Sequence, residues 1–244
     1  MRCISVLLLL TAMTGCGGAS QQSMTGPGSS LRVADAALAS DTPTVALQVL
    51  DNILKTEPRN TEALLRQGRA HLMLGNNAAA EVSYRKALAI DEGLTDARLG
   101  LAKLIMTEQP AEAERMFAAV IKADPKNTAA LNNLGVTRDL QGRHADAQVA
   151  YNQALAITPG LASARQNLAL SLAVSGRPQE GAAMLNTFSQ NGAGGRRARD
   201  NLAVALALSG NTTEAGQVLR EGMSPTDALK ALAGYRGLGS VPAN

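Results

Sequence analysis

From Leu31 onward, apolar residues recur every three or four positions and break at regular intervals, without the alternation of a half-buried strand. That spacing lays one apolar stripe along each of a series of helices. The breaks are themselves periodic: Gly142, Gly176 and Gly210 fall 34 residues apart, as do Ala169 and Ala203, and Gly68 and Gly135 are 67 apart. The chain is therefore expected to be all-α and built from an internal repeat.

One unit, 128–161, gives the frame. Leu134-Gly135 ends the core of its first helix, Ala147, Tyr151 and Ala154 lie on its second, and Pro159 closes it. The frame runs through 61–94 with Gly68, Gly75, Ala80, Tyr84 and Ala87, and through 95–127 with Ala97, Ala102, Ala113, Phe117 and Pro125. The latter is one residue short near Gln109-Pro110. Unit 27–60 carries Ala34, Ala46, Leu50 and Pro58, and units 162–195 and 196–229 share an R-x-N-L-A core.

A 34-residue unit with L-G, A-x₃-F/Y, A and P in this order resembles the tetratricopeptide repeat, or TPR. Two departures stand in 128–161, Leu131 where the family has Trp and Arg138 where it has Tyr. The resemblance implies a solenoid of helical hairpins with about five to six repeats, five clear and one divergent at the N-terminal end. Ala or Gly at the eighth and twentieth positions lets the two helices of a hairpin approach where bulk would overpack. Pro at the end of a second helix stops it for want of an N–H. Ser224 and Pro225 are placed to cap and open a last helix that shields the end of the stack. The solenoid is expected over 31–236, with 237–244 as a tail.

The N-terminus has a different pattern. Residues 1–15 combine Arg2 with a short apolar run and small residues before Cys16, the order of a secretory signal and too short to span a bilayer. Met13-Thr14-Gly15-Cys16 resembles a bacterial lipobox, with Met where Leu is usual; the alternative is an ordinary signal with an incidental Cys. The resemblance implies cleavage before Cys16, acylation there with palmitate-type chains, and membrane anchoring. Gly17 rather than Asp after the Cys favours the outer membrane, with the protein facing the periplasm. Residues 17–30, nearly free of apolar side chains, read with Cys16 as a flexible tether over 16–30.

Composition removes several classes of function. With 45% hydrophobic residues the chain is not disordered, and with five aromatics in 244 residues it is poorly suited to a β-sandwich. A net charge of +3 is too thin to imply nucleic-acid binding. His71 and His144, the latter expected in the turn after Gly142, have no ligand partner at metal spacing, and neither a metal nor another cofactor is expected. The run Asn191-Gly192-Ala193-Gly194-Gly195 lacks the strand and the G-K-[ST] ending of a phosphate loop and reads as an inter-repeat turn. No nucleophile and base can be assembled, so neither enzymatic activity nor a small-molecule substrate is expected.

What is left is a surface for a protein partner. TPR stacks curl so that their first helices line a groove, and Asn133, Asn167 and Asn201 recur at one position of three successive units. In the family that position faces the groove and binds ligand backbone; the alternative is that these amides tie adjacent helices together. Arg196, Arg197 and Arg199 open a helix, where positive charge opposes the dipole. Arg197 with Asn167 and Asn201 is a candidate grip for a partner's carboxylate; a merely solvated face is the alternative.

The C-terminal units resemble the TPR lipoprotein family of the tight-adherence (Flp/Tad) pilus system, TadD. Residues 165–170 with Gly176-Arg177, 197–210 with Asn201-Leu202-Ala203, Glu214-Ala215 and the closing 228–236 carry the likeness. Asn211-Thr212-Thr213 and the Gly-rich insertion before Arg196 depart from it. The resemblance implies an outer-membrane adaptor that helps the pilus secretin assemble or localise. A pilotin or scaffold of another envelope machine, and a periplasmic regulator of cell-wall synthesis, are the alternatives.

Overall fold

The computed structural model describes residues 27–190 and 195–238. Among them are thirteen α-helices and no strand: α1 (Pro27–Ala39), α2 (Pro43–Thr56), α3 (Thr61–Met73), α4 (Asn77–Ile90), α5 (Thr95–Ile105), α6 (Pro110–Ala123), α7 (Thr128–Leu140), α8 (His144–Ile157), α9 (Ala162–Val174), α10 (Pro178–Gln190), α11 (Gly195–Leu208), α12 (Thr212–Arg220) and α13 (Pro225–Leu238). The first twelve pair in order into six hairpins, α1 with α2 through α11 with α12. The helical array starts at Pro27, inside the stretch expected to be tether, and runs to Leu238, past the expected end at 236. Pro at a first helical position loses no hydrogen bond, because that N–H has no partner within the helix. The signal at 1–15, Cys16, residues 17–26, the run 191–194 and the tail beyond 238 lie outside the described residues.

Five of the six hairpins turn on one backbone device. Gly142 follows α7 with φ +74°; its N–H donates to the Asp139 carbonyl at 2.9 Å, and Arg143 N–H to the Arg138 carbonyl at 2.9 Å. These two bonds cap the helix end, and the left-handed residue between them is most easily a glycine. Gly75, Gly176 and Gly210 repeat it, and Asp41 takes the position in the first unit with φ +54°. The third unit, one residue short, does without it. Its α5 stops at Ile105, and Gln109 bonds back to the Ile105 carbonyl at 2.7 Å before Pro110 opens α6.

Packing inside a hairpin obeys the size rule of the sequence. Ala34, Ala102, Ala169 and Ala203 at the eighth position, and Ala46, Ala80, Ala147 and Ala215 at the twentieth with Ala113, their equivalent in the short unit, are wholly buried. At Gly181, the glycine of the latter series, a Cβ would strike the carbonyl oxygen of Ala169. Between these close contacts stands one large residue per hairpin: Leu50, Tyr84, Phe117, Tyr151, Leu185 and Leu219, none more than 2% exposed. Burying such a side chain contributes about 1.5–3 kcal/mol, so this row forms the spine of the core.

Neighbouring hairpins stack through their first helices: α1 touches α3, α3 touches α5, α7 touches α9, and α9 touches α11, while each second helix packs on its own hairpin and on the first helix of the next. The odd-numbered helices therefore form the inner layer of a curved array. Helix α13 closes it, with Ala228 and Leu232 buried against α11 and α12 and Tyr235 beside them. Ser224 caps it as expected, its Oγ accepting the Asp227 N–H at 3.2 Å. No described helix is long and apolar enough to cross a membrane.

Candidate protein-binding groove

The inner layer changes character along its length. Toward the N-terminal end it carries charge, much of it neutralised between repeats. Arg66 of α3 is joined to Asp35 of α1 at 2.7 Å and also pairs with Glu62. Its hydrogen bond to Asp35 holds the guanidinium above its ordinary pKa, against the opposing effect of burial. In the middle, Glu114 of the second-layer helix α6 accepts from Arg138 Nε at 2.9 Å, Arg143 Nη1 at 2.8 Å and Gln141 Nε2 at 3.2 Å, pinning α6 to the inner helix α7 and the turn after it. Burial works to raise that carboxyl, but these donors and charges outweigh it and the pKa is lowered.

Toward the C-terminal end the layer is amide-rich. Asn133, Asn167 and Asn201 stand half-buried at equivalent places on α7, α9 and α11. They are not equivalent in bonding. Asn167 Nδ2 donates to Oδ1 of the buried Asn132 at 3.0 Å, tying α9 to α7. The side chains of Asn133 and Asn201 have no hydrogen-bond partner among the described residues. Arg197 is exposed in the first turn of α11, four residues before Asn201 and on the same helix face, while α9 with Asn167 lies alongside. Of its basic neighbours, Arg196 approaches Asp200 at 3.6 Å and Arg199 lies over Gly222 beyond the end of α12.

His144 is not in a turn; it is the first residue of α8, since the cap at Gly142 has already ended α7. Its Nδ1 lies 2.8 Å from Asp139 Oδ1. Asp139 also accepts from Tyr151 Oη at 2.8 Å and from Ser171 Oγ of the next repeat at 2.7 Å. Burial first, then the charge of Asp139, pushes the Tyr151 phenol far above its ordinary pKa. The clue to this network was Tyr151 itself, because a buried phenol needs a partner for its hydroxyl. Among the described residues no cluster of three or more His, Cys, Asp or Glu is placed to hold a metal. His71 Nδ1 is buried and has no hydrogen-bond partner among the described residues.

Between α3 and α5 the inner layer opens into a cleft of about 580 Å³. Leu65 and Leu72 line one side, Leu99 and Leu104 the other, and the ring of Tyr84 forms the base. Arg69, Lys103 and Asp96 stand at the rim. None of these three was singled out from sequence. The available signal was the sixth position of the repeat, occupied by Arg, Arg, Gly, Asn, Asn and Asn in turn: Gly100 interrupts the row of side chains.

Comparison with known proteins agrees with this geometry. The tetratricopeptide repeat profile matches residues 31–94, 107–162 and 167–228. Over 100 residues the chain is 35% identical to the type IV pilus assembly protein PilF of Pseudomonas aeruginosa, covering 39% of this chain and 40% of that protein. The match thus spans about two fifths of the relative's length. Among solved structures, PilW, a widely conserved type IV pilus biogenesis factor, superimposes with a TM-score of 0.73 at 19% identity, covering 82% of this chain and 96% of that one. The Pseudomonas aeruginosa PilF structure gives 0.68 at 16% identity, covering 84% and 96%. These two likenesses speak to fold.

Proposed function

Because the chain belongs to the tetratricopeptide repeat family, whose modules bind protein partners, we propose that it is an adaptor for assembly of a pilus. In this reading it is anchored in the outer membrane through acylated Cys16, faces the periplasm, and assists assembly or localisation of the Flp/Tad secretion apparatus by binding a segment of its secretin. The observation that carries the pilus reading is the stretch shared with the Pseudomonas pilus assembly protein. The likeness of residues 13–16 to a lipobox supports the anchor, and the half-buried Asn133 and Asn201, with Arg197 exposed on the same helix as Asn201, support the groove of α7, α9 and α11 as the seat of the partner. The mechanism needs no bond chemistry: acyl chains hold the solenoid at the membrane, and the inner layer holds the partner while it assembles.

The same relative favours a second reading, a scaffold for a type IV pilus machine rather than the Flp/Tad system. A deletion strain decides between them. Loss of detergent-resistant multimers of the Flp/Tad secretin and of its pili supports the first; loss of type IV pili alone supports the second; intact multimers and pili of both kinds overturn both. Cys16→Ser tests the anchor separately: the protein should leave the membrane fraction and lose incorporation of labelled palmitate, and unchanged fractionation overturns anchoring.

A further inference from the structure

The sixth position of the six units reads Arg32, Arg66, Gly100, Asn133, Asn167 and Asn201. Only Gly100 carries no side chain there, and it lines the cleft between α3 and α5. A Cβ on Gly100 would lie 2.8 Å from Cζ of Tyr84 and 3.1 Å from its Oη. Gly100 therefore packs its bare Cα against the phenol ring, and any larger residue would push that ring out of its place at the base of the cleft. The walls are leucine, so the interior suits an apolar side chain.

The rim decides what must accompany that side chain. Arg69 and Lys103 are the ninth residues of their units, so they stand at equivalent places on two neighbouring first helices, and both line the cleft between them. Both are exposed, and neither makes an ion pair or hydrogen bond among the described residues. Their neighbours differ. Arg66 is held by Asp35 and Glu62, and Arg85 by Glu81 and Glu112. Two unneutralised cations at the mouth of an apolar cleft attract one anion between them. Asp96 lines the other end, seven residues earlier on α5 and about 10 Å away along the axis, where it disfavours a second acid.

The geometry points to this cleft as the docking place of an extended protein segment in which an apolar residue is followed or preceded, two positions away, by an acidic one. Two positions is the spacing because side chains i and i+2 of an extended chain share a face and stand about 7 Å apart. The apolar side chain sits on Tyr84 between the leucines, and the carboxylate lies between Arg69 and Lys103. This rests on the proposed reading that the inner layer takes a partner segment, and adds the chemistry of that segment.

The test pans a phage library of random octapeptides against the purified full chain. Enriched peptides are then measured by fluorescence anisotropy against wild type, Arg69→Glu/Lys103→Glu and the milder Arg69→Gln/Lys103→Gln, with circular dichroism to confirm the helices. Enriched peptides should carry the apolar and acidic pair at that spacing, bind less tightly in salt, and lose about tenfold or more in affinity on charge reversal, with a smaller loss for the Gln pair. No enrichment, enrichment of peptides without the acid, or equal binding by the reversed variant overturns the inference. So does binding to vesicles of anionic phospholipid that depends on Arg69 and Lys103 in place of peptide binding. Rescue of secretin multimers in the deletion strain by the charge-reversed chain would overturn the cleft and leave the pilus reading standing. Intact multimers on deletion, with the peptide pattern found, would do the reverse.

Discussion

The ring of Tyr151 lies against the bare Cα of Gly135: a Cβ there would stand 2.7 Å from both Cδ1 and Cζ. Gly68 and Tyr84 repeat the relationship, with 2.5 Å to Cε1 and 2.8 Å to Cδ1 and Cζ. Where the large residue is smaller, the small one grows. Leu50, Leu185 and Leu219 face Ala34, Ala169 and Ala203, and Phe117 faces Ala102. The two positions thus share one volume, and the phenol ring excludes a methyl group at its partner.

Gly135→Ala should therefore destabilise the protein. Overpacking costs about 1–3 kcal/mol, and the better helix propensity of Ala returns about 1 kcal/mol, leaving a net loss of up to about 2 kcal/mol. In the Tyr151→Leu background the same change should be neutral or stabilising. The lost Tyr151–Asp139 hydrogen bond is common to both proteins that carry Tyr151→Leu and cancels from the cycle. Urea unfolding of the four proteins measures the coupling; additive effects would show that the two residues do not share a volume.

Alkaline stability should depend on buried phenols. Burial holds Tyr84 up to about 12, against the pull of Arg69, and raises Tyr151 further, with Asp139 adding to it. Unfolded tyrosines ionise near 10, so this contribution is fully present below that pH and is lost as pH rises through the folded values. The melting temperature should begin to fall above about pH 10. Tyr84→Phe/Tyr151→Phe should flatten that limb, leaving only the half-buried Tyr235, whose phenol burial also raises. An unchanged decline in the double variant would place the alkaline transition elsewhere.

The Glu114 hub gives the opposite dependence. Its pKa is lowered in the fold, so its contribution is present above the unfolded carboxylate value and disappears as pH falls through the folded one. Glu114→Gln should cost about 1 kcal/mol at pH 7, at the upper end for a surface network, and nothing once the wild-type carboxyl is protonated below its lowered pKa. Parallel thermal melts from pH 7 to pH 3 check this; a constant gap across the range would count against it.

The fold was legible because its determinants are local and periodic. Gly142 and its equivalents mark the helix caps, Pro58, Pro125 and Pro159 follow the second helices, and the small and large core positions recur in register. The site was less legible because it depends on which helices touch. Nothing in the order of residues says that Asn167 bonds to Asn132 while Asn133 and Asn201 do not. Arg69 and Lys103 read as ordinary surface cations until adjacent helices place them over the opening at Gly100. Tyr151, which the repeat pattern places on a second helix, also carries a polar link to Asp139 and through it to Ser171 of the next repeat.

The row of asparagines separates into two roles, and mutation should separate them too. Asn167→Ala removes the donor that satisfies Oδ1 of Asn132, which is only 8% exposed. Losing it should lower stability by about 1–2 kcal/mol, because a buried acceptor is left unmade. Asn133→Ala/Asn201→Ala breaks no hydrogen bond among the described residues, so the melting temperature should stay close to wild type. If those amides serve the partner's backbone, the same double variant, expressed in the deletion strain, should fail to restore secretin multimers, and adding Arg197→Ala should deepen the failure without touching the fold. Full restoration by a stably folded triple variant would remove these three residues from the binding surface and leave the cleft above Tyr84 as the place to look. A triple variant that melts early would instead give Asn133 and Asn201 the structural role that Asn167 already has.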